Sequence, residues 1–128
     1  MSANLPLSGS IVQTLPVRLF FEGDKFGFVS FLSIELVLFN RDLLYKEVMS
    51  WANQHGLRPV SPKYLLTIPV VAPARPHLVV DIVTIKYLVK GYVWCFRYGP
   101  GISELTQILS RGRLLAKEYL FAFVRVRP

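Results

Sequence analysis

Two runs of β-forming residues, "LVVDIVTIKYL" (78–88) and "YVWCFRY" (92–98), stand on either side of Lys90-Gly91. No feature of the chain restricts its fold more. A glycine between two such runs can adopt the positive φ of a tight turn, so Leu78 to Tyr98 is expected to form a β-hairpin. In its second strand, alternation puts Tyr92, Trp94, Phe96 and Tyr98 on one face and Val93, Cys95 and Arg97 on the other. Four aromatic rings in a row on one side admit three readings. Trp94 and Phe96 can be core beneath a helix while Tyr92 and Tyr98 hold their hydroxyls at the rim. The rings can form a platform on which unpaired bases stack, with Lys86 and Lys90 nearby to hold phosphates. Or they can anchor a protein partner, because Tyr and Trp are favoured at interfaces.

The rest of the chain reads as a small mixed domain. Residues 1–13 are small and polar with Pro6 and Gly9, as in a flexible N-terminal tail. "PVRLFF" (16–21) reads as a strand and "EGDK" (22–25) as a turn. From Phe26 to Phe39 branched and aromatic residues favour a long strand. "NRDLLYKEVMSWANQHG" (40–56) reads as a helix, with Asn40 as cap, Asp42 in the first turn and Leu44, Val48, Trp51 and His55 on one face. Residues 57–77 hold five of the nine prolines, which suits extended loop or edge strand. After Gly99-Pro100-Gly101, the spacing of Leu105, Ile108, Leu109 and Leu115 predicts a second helix over 102–117. Ser103 would cap it, and Arg111, Arg113 and Lys117 would lie in its last turns. Tyr119 to Arg127 alternates as a final strand. The sum is an α+β domain over residues 14–128, with a mostly antiparallel sheet of about five strands and two helices.

Charge narrows the choice of partner. The net charge is +7, with 18% charged and 52% hydrophobic residues. Arg18, Lys25, Arg41, Lys46 and Arg58 are balanced before residue 61 by Glu22, Asp24, Glu35, Asp42 and Glu47. The other ten of the fifteen cations follow, against Asp81, Glu104 and Glu118. An excess confined to one half points to an anionic partner there, or serves only to keep an apolar protein soluble. The surplus of apolar residues also allows a covering partner or a second copy of the chain.

A resemblance bears on this. "DKFGFVSF" (24–31) resembles the RNP1 strand of RNA-recognition and cold-shock domains, with Phe26, Gly27, Phe28, Val29 and Phe31 in matching places. Asp24 and Lys25 stand where that pattern has a basic residue and a glycine. "VRLFFEGDKFGFV" (17–29) has the spacing of the first two cold-shock strands, with Leu19 in place of their stacking tryptophan. The resemblance implies Phe26 and Phe28 as base-stacking rings and Lys25 as a phosphate contact. The alternative is that both rings are ordinary core.

Reactive chemistry finds little support. His55 and His77 have no acid or thiol at ligand spacing, so no metal site is expected. Cys95, the single cysteine, precludes an intrachain disulfide, and its aromatic surroundings argue for an inert thiol in a reducing compartment. "YGPGIS" (98–103) lacks the lysine of a phosphate-binding loop. Asp81 on an apolar strand needs a cationic partner, which Lys86 or an arginine could supply. No signal peptide and no membrane-spanning run is read, so the expected setting is intracellular and soluble, cytoplasmic or nuclear/nucleoid. The expectation is therefore a non-enzymatic protein without cofactor that binds nucleic acid, single strands in preference. Its contacts would be Lys25, Phe26, Phe28, Lys86, Lys90, Tyr92, Trp94, Phe96, Arg97, Arg111 and Arg113. The competing expectation is a protein-interaction module: a homodimer subunit, or an accessory or inhibitor protein of a virus or mobile element, perched on an acidic protein.

Overall fold

The hairpin across Gly91 is present and belongs to a larger sheet. The computed structural model describes residues 6–20, 29–65, 79–89 and 91–126. Its strands are β1 (Gly9–Phe20), β2 (Val29–Phe39), β3 (Arg58–Pro59), β4 (Val80–Val89), β5 (Tyr92–Gly99), β6 (Ile102–Leu109) and β7 (Leu120–Val126). Helix α1 (Tyr45–Gln54) lies between β2 and β3, and the single turn α2 (Pro62–Leu65) follows β3. The sheet runs β1-β2-β7-β4-β5-β6, with β3 also paired to β7. β7 is thus the hub. It has β2 along one side, and on the other β4 at Leu120–Phe121 and β3 at Phe123–Val124.

The expected α+β architecture, about five mostly antiparallel strands with two helices, is corrected here. The sheet has seven strands and is mixed, because β4 and β7 run parallel through Ile82↔Leu120 and Val83↔Phe121. The second helix is absent: Ile102–Leu109 is β6, paired antiparallel with β5 from Gly99↔Ile102 to Tyr92↔Leu109. The turn at Gly99-Pro100-Gly101 sends the chain straight back along β5, whose free backbone groups are worth more to it than a solitary helix. Ser103 is consequently a strand residue, and Arg111, Arg113 and Lys117 lie in turns beyond β6 rather than at a helix end. β1 begins at Gly9, within the segment whose composition reads as a tail.

Both faces of the sheet are buried near its centre, which accounts for strands that are apolar nearly throughout. On one face Val37, Phe39, Val83, Ile85, Val93, Cys95, Phe121 and Phe123 pack beneath Val48, Trp51 and Ala52 of α1. On the other, Ile34, Leu36, Ile82, Phe96 and Ala122 pack with Val60 and Leu65 from the β3–α2 segment. Thr84 on β4 fastens that segment by donating its hydroxyl to the Val60 carbonyl. Each large apolar side chain so enclosed contributes about 1.5–3 kcal/mol.

Helix α1 sits where the 3.6-residue spacing places it, but its entrance is built differently from expectation. Asn40 does not cap the helix; its Oδ1 accepts the Ser8 N–H at 3.0 Å and its Nδ2 donates to the Pro6 carbonyl at 2.9 Å. Asp42 accepts the Lys117 N–H at 2.8 Å. The capping is done by Glu47, whose Oε1 accepts the Leu44 N–H at 2.9 Å while Arg41 donates to Oε2 at 3.0 Å. Those two hydrogen bonds favour the charged carboxylate and hold Glu47 below the usual carboxylate range. Trp51 then meets Phe39 edge-on, with ring centroids 5.0 Å apart. Its indole also lies against β1 at Gly9, where any Cβ would come within 2.6 Å of the ring.

Candidate nucleic-acid interface

The four aromatic residues of β5 do share one face, but the fold treats them unequally. β5 lies between β4 and β6, so Phe96 has Ile82 on one side and Leu105 on the other. It is 3% exposed and belongs to the core. Tyr98 stacks on it with ring centroids 6.2 Å apart and is half-buried. Trp94 is half-buried too, and its Nε1 is enclosed with no acceptor among the described residues. Tyr92, at the hairpin end, is 40% exposed. Burial therefore peaks at Phe96, which shares a core cluster with Val60 and Leu65, and falls off through Trp94 to Tyr92.

Arg97 lies on the opposite face and is committed there. Its Nε and Nη2 donate to Asp81 at 2.8 and 3.2 Å, which answers the need of that acid for a cation. The hydrogen bond to Asp81 and its charge hold the guanidinium still more firmly protonated. Behind this pair is Cys95, buried, with its thiol pushed up to about 12 by burial first and by the charge of Asp81 second. Burial, and then the nearby Cys95 and Asp81, likewise raise the Tyr119 phenol. These shifts oppose ionisation, so the cluster is a poor nucleophile and holds its protons.

Arg111 and Arg113 are brought to the exposed end of the aromatic row by an interaction that the sequence pattern did not reveal. The Gly91 carbonyl accepts three hydrogen bonds: from the Ser110 N–H at 2.7 Å, the Arg111 N–H at 3.1 Å and the Ser110 hydroxyl at 3.0 Å. This pins the turn after β6 to the turn before β5. Gly91 has φ 81°, and a Cβ there would stand 2.7 Å from the Arg111 Cβ. Only glycine lets the two turns close on each other. The result is a corner holding exposed Tyr92, Arg111 and Arg113, with Leu109 beside Tyr92 in register.

The remaining expected contacts are Lys86, Lys25, Phe26, Phe28 and Lys90. Lys86 lies on β4. Lys25, Phe26, Phe28 and Lys90 fall outside the described residues, as does the 21–28 part of the RNP1-like stretch. Among the described residues no three His, Cys, Asp or Glu side chains converge on a metal position. His55 stacks on Trp51 at 4.1 Å, and its Nδ1 is 2.7 Å from the Trp51 carbonyl oxygen. No described helix is long and apolar enough to cross a membrane. Compared with protein-family models, curated proteins and solved structures, the chain finds no match.

Proposed function

We propose that the chain is a non-catalytic nucleic-acid-binding protein that contacts single strands at the corner formed by Gly91–Tyr92 and Ser110–Arg113. The observation that carries this reading is the pairing of an exposed ring with two exposed arginines that enter no ion pair among the described residues. Arg41, Arg97 and Arg125 are each engaged by an acid, on Glu47, Asp81 and Glu35. Those pairs spend acids as well as cations, so the net charge of +7 is left to the unpaired basic groups. Within a single copy, no described acid pairs with Arg111 or Arg113. Tyr92 would take a base on its open face, and the arginines would hold the flanking phosphates. Phe96 is sealed in the core against Tyr98 and takes no base, and Arg97 serves the fold.

The test is anisotropy of a labelled single-stranded oligonucleotide titrated across salt concentrations. Tyr92→Ala is expected to weaken binding by about 5- to 150-fold, the range for loss of one stacked base. Arg111→Ala with Arg113→Ala should flatten the plot of log K against log salt by about 1.4 units, at about 0.7 per phosphate contact. Arg97→Ala should leave that slope unchanged. Absence of binding to DNA and RNA probes at low salt would refute the proposal.

A further inference from the structure

Among the described residues the sheet ends at β1 and at β6, and these two edges differ in how they are guarded. β1 carries Pro16 and a register break between Ile11 and Gln13, devices that discourage a further strand. β6 has neither. Its eight residues, ISELTQIL, contain no proline, lysine or arginine, and its pairing with β5 runs without a shift. The Ser110 N–H donates to the Gly91 carbonyl in line with that ladder. Antiparallel strands alternate the direction of their backbone groups, so Ser103, Leu105, Gln107 and Leu109 turn their N–H and C=O groups outward. Leu105 is 36% and Leu109 37% exposed, on the same face as Tyr92.

We infer that β6 pairs antiparallel with β6 of a second copy, about a two-fold axis through Gln107, to join two sheets into one. A two-fold axis normal to the sheet keeps equivalent faces on the same side, so outward-directed residues must meet one another. Centred on Gln107, this register sets Leu105 opposite Leu109 of the second copy, twice. Centring on Leu105 would pair that leucine with itself once but set Leu109 against Gly101 twice, and centring on Thr106 would set Leu105 against Gln107 and Leu109 against Ser103. Charge favours the same arrangement. Glu104, near the start of the strand, is exposed and in no ion pair among the described residues. In the antiparallel register it lies beside the end where Arg111 and Arg113 of the second copy leave the strand. A strand acidic at its start and followed by cations complements itself only head to tail.

The experiment is molar mass by light scattering across a dilution series of the full chain, with three variants. The chain should approach twice its monomer mass as concentration rises, and Gln107→Pro should raise the dissociation constant at least about tenfold. The proline removes an outward N–H and leaves the β5 ladder whole, so circular dichroism should not change. Leu105→Glu/Leu109→Glu and Leu105→Lys/Leu109→Lys should each be monomeric alone and form a dimer when mixed, because position 105 meets position 109 across the axis. This charge exchange remains decisive if the proline variant fails to fold. A parent chain monomeric up to about 1 mM, a dimer indifferent to Gln107→Pro, or paired charge variants that stay apart when mixed each overturn the inference.

Discussion

Replacing Arg125 by methionine isolates the most deeply placed charge among the described residues. Glu35 on β2 has a side chain only 5% exposed, and it receives Arg125 Nε at 3.0 Å and Nη2 at 3.3 Å. Arg125, on β7, stands opposite Ser33 and reaches Glu35 diagonally, two residues along, because Glu35 itself stands opposite Phe123. Methionine keeps much of the arginine stem and removes the charge and both donors. A carboxylate left in that position loses its counterion without regaining water, which costs about 3–5 kcal/mol. The arginine is itself partly exposed, so some water can enter in its place and the lower end, about 3 kcal/mol, is expected. With a urea m-value of about 1.5 kcal/mol/M, the unfolding midpoint should fall by about 2 M. Adding Glu35→Leu to Arg125→Met removes the stranded charge and should restore stability to within about 1 kcal/mol of the parent chain. Urea titrations of the four proteins form a double-mutant cycle. A loss below about 1 kcal/mol for Arg125→Met, the worth of a surface pair, would refute the reasoning by showing that Glu35 does not depend on its partner.

Four further outcomes follow from the geometry. The Cys95 thiol, raised from its ordinary 9.0 to about 12, should resist thiol reagents at pH 8 in the folded chain and react only on unfolding. Its contribution to stability is complete below pH 9 and is lost as pH rises toward 12, so Cys95→Ala should flatten that part of a pH–stability curve. Gly9→Val forces a side chain into the Trp51 indole and should destabilise by about 1–3 kcal/mol in thermal melts, with the Trp51 fluorescence altered. Gly91→Ala meets both a positive φ and the Arg111 Cβ, and should cost about 1–2 kcal/mol in stability as well as weakening oligonucleotide binding. Ser33 has a buried hydroxyl without a partner among the described residues, so Ser33→Ala should be neutral or stabilise by up to about 1 kcal/mol in urea melts.

What local sequence determines is visible in the β4–β5 hairpin and in α1. Period-2 alternation around Gly91 and 3.6-residue spacing around Val48 and Trp51 each describe an element that has one covered face, and a covered face leaves its period in the chain. β6 left no such period. Five of its eight residues are exposed and none is fully buried, and the offsets among Leu105, Ile108 and Leu109 fit a helix. Only the free edge of β5, reached through the Gly99-Pro100-Gly101 turn, decides for the strand. The candidate site divides in the same way. Alternation alone places Tyr92, Trp94, Phe96 and Tyr98 on one side and Arg97 on the other, because side-chain direction in a strand is a local property. Which ring is open and which is sealed depends on neighbours remote in the chain: Ile82, Leu105 and the segment around Val60 and Leu65. Likewise, Arg111 lies against Gly91, next in the chain to Tyr92, because Ser110 and Arg111 hydrogen-bond to Gly91, nineteen residues earlier than Ser110. Direction is set by the backbone one residue at a time, whereas burial is a property of the packed whole.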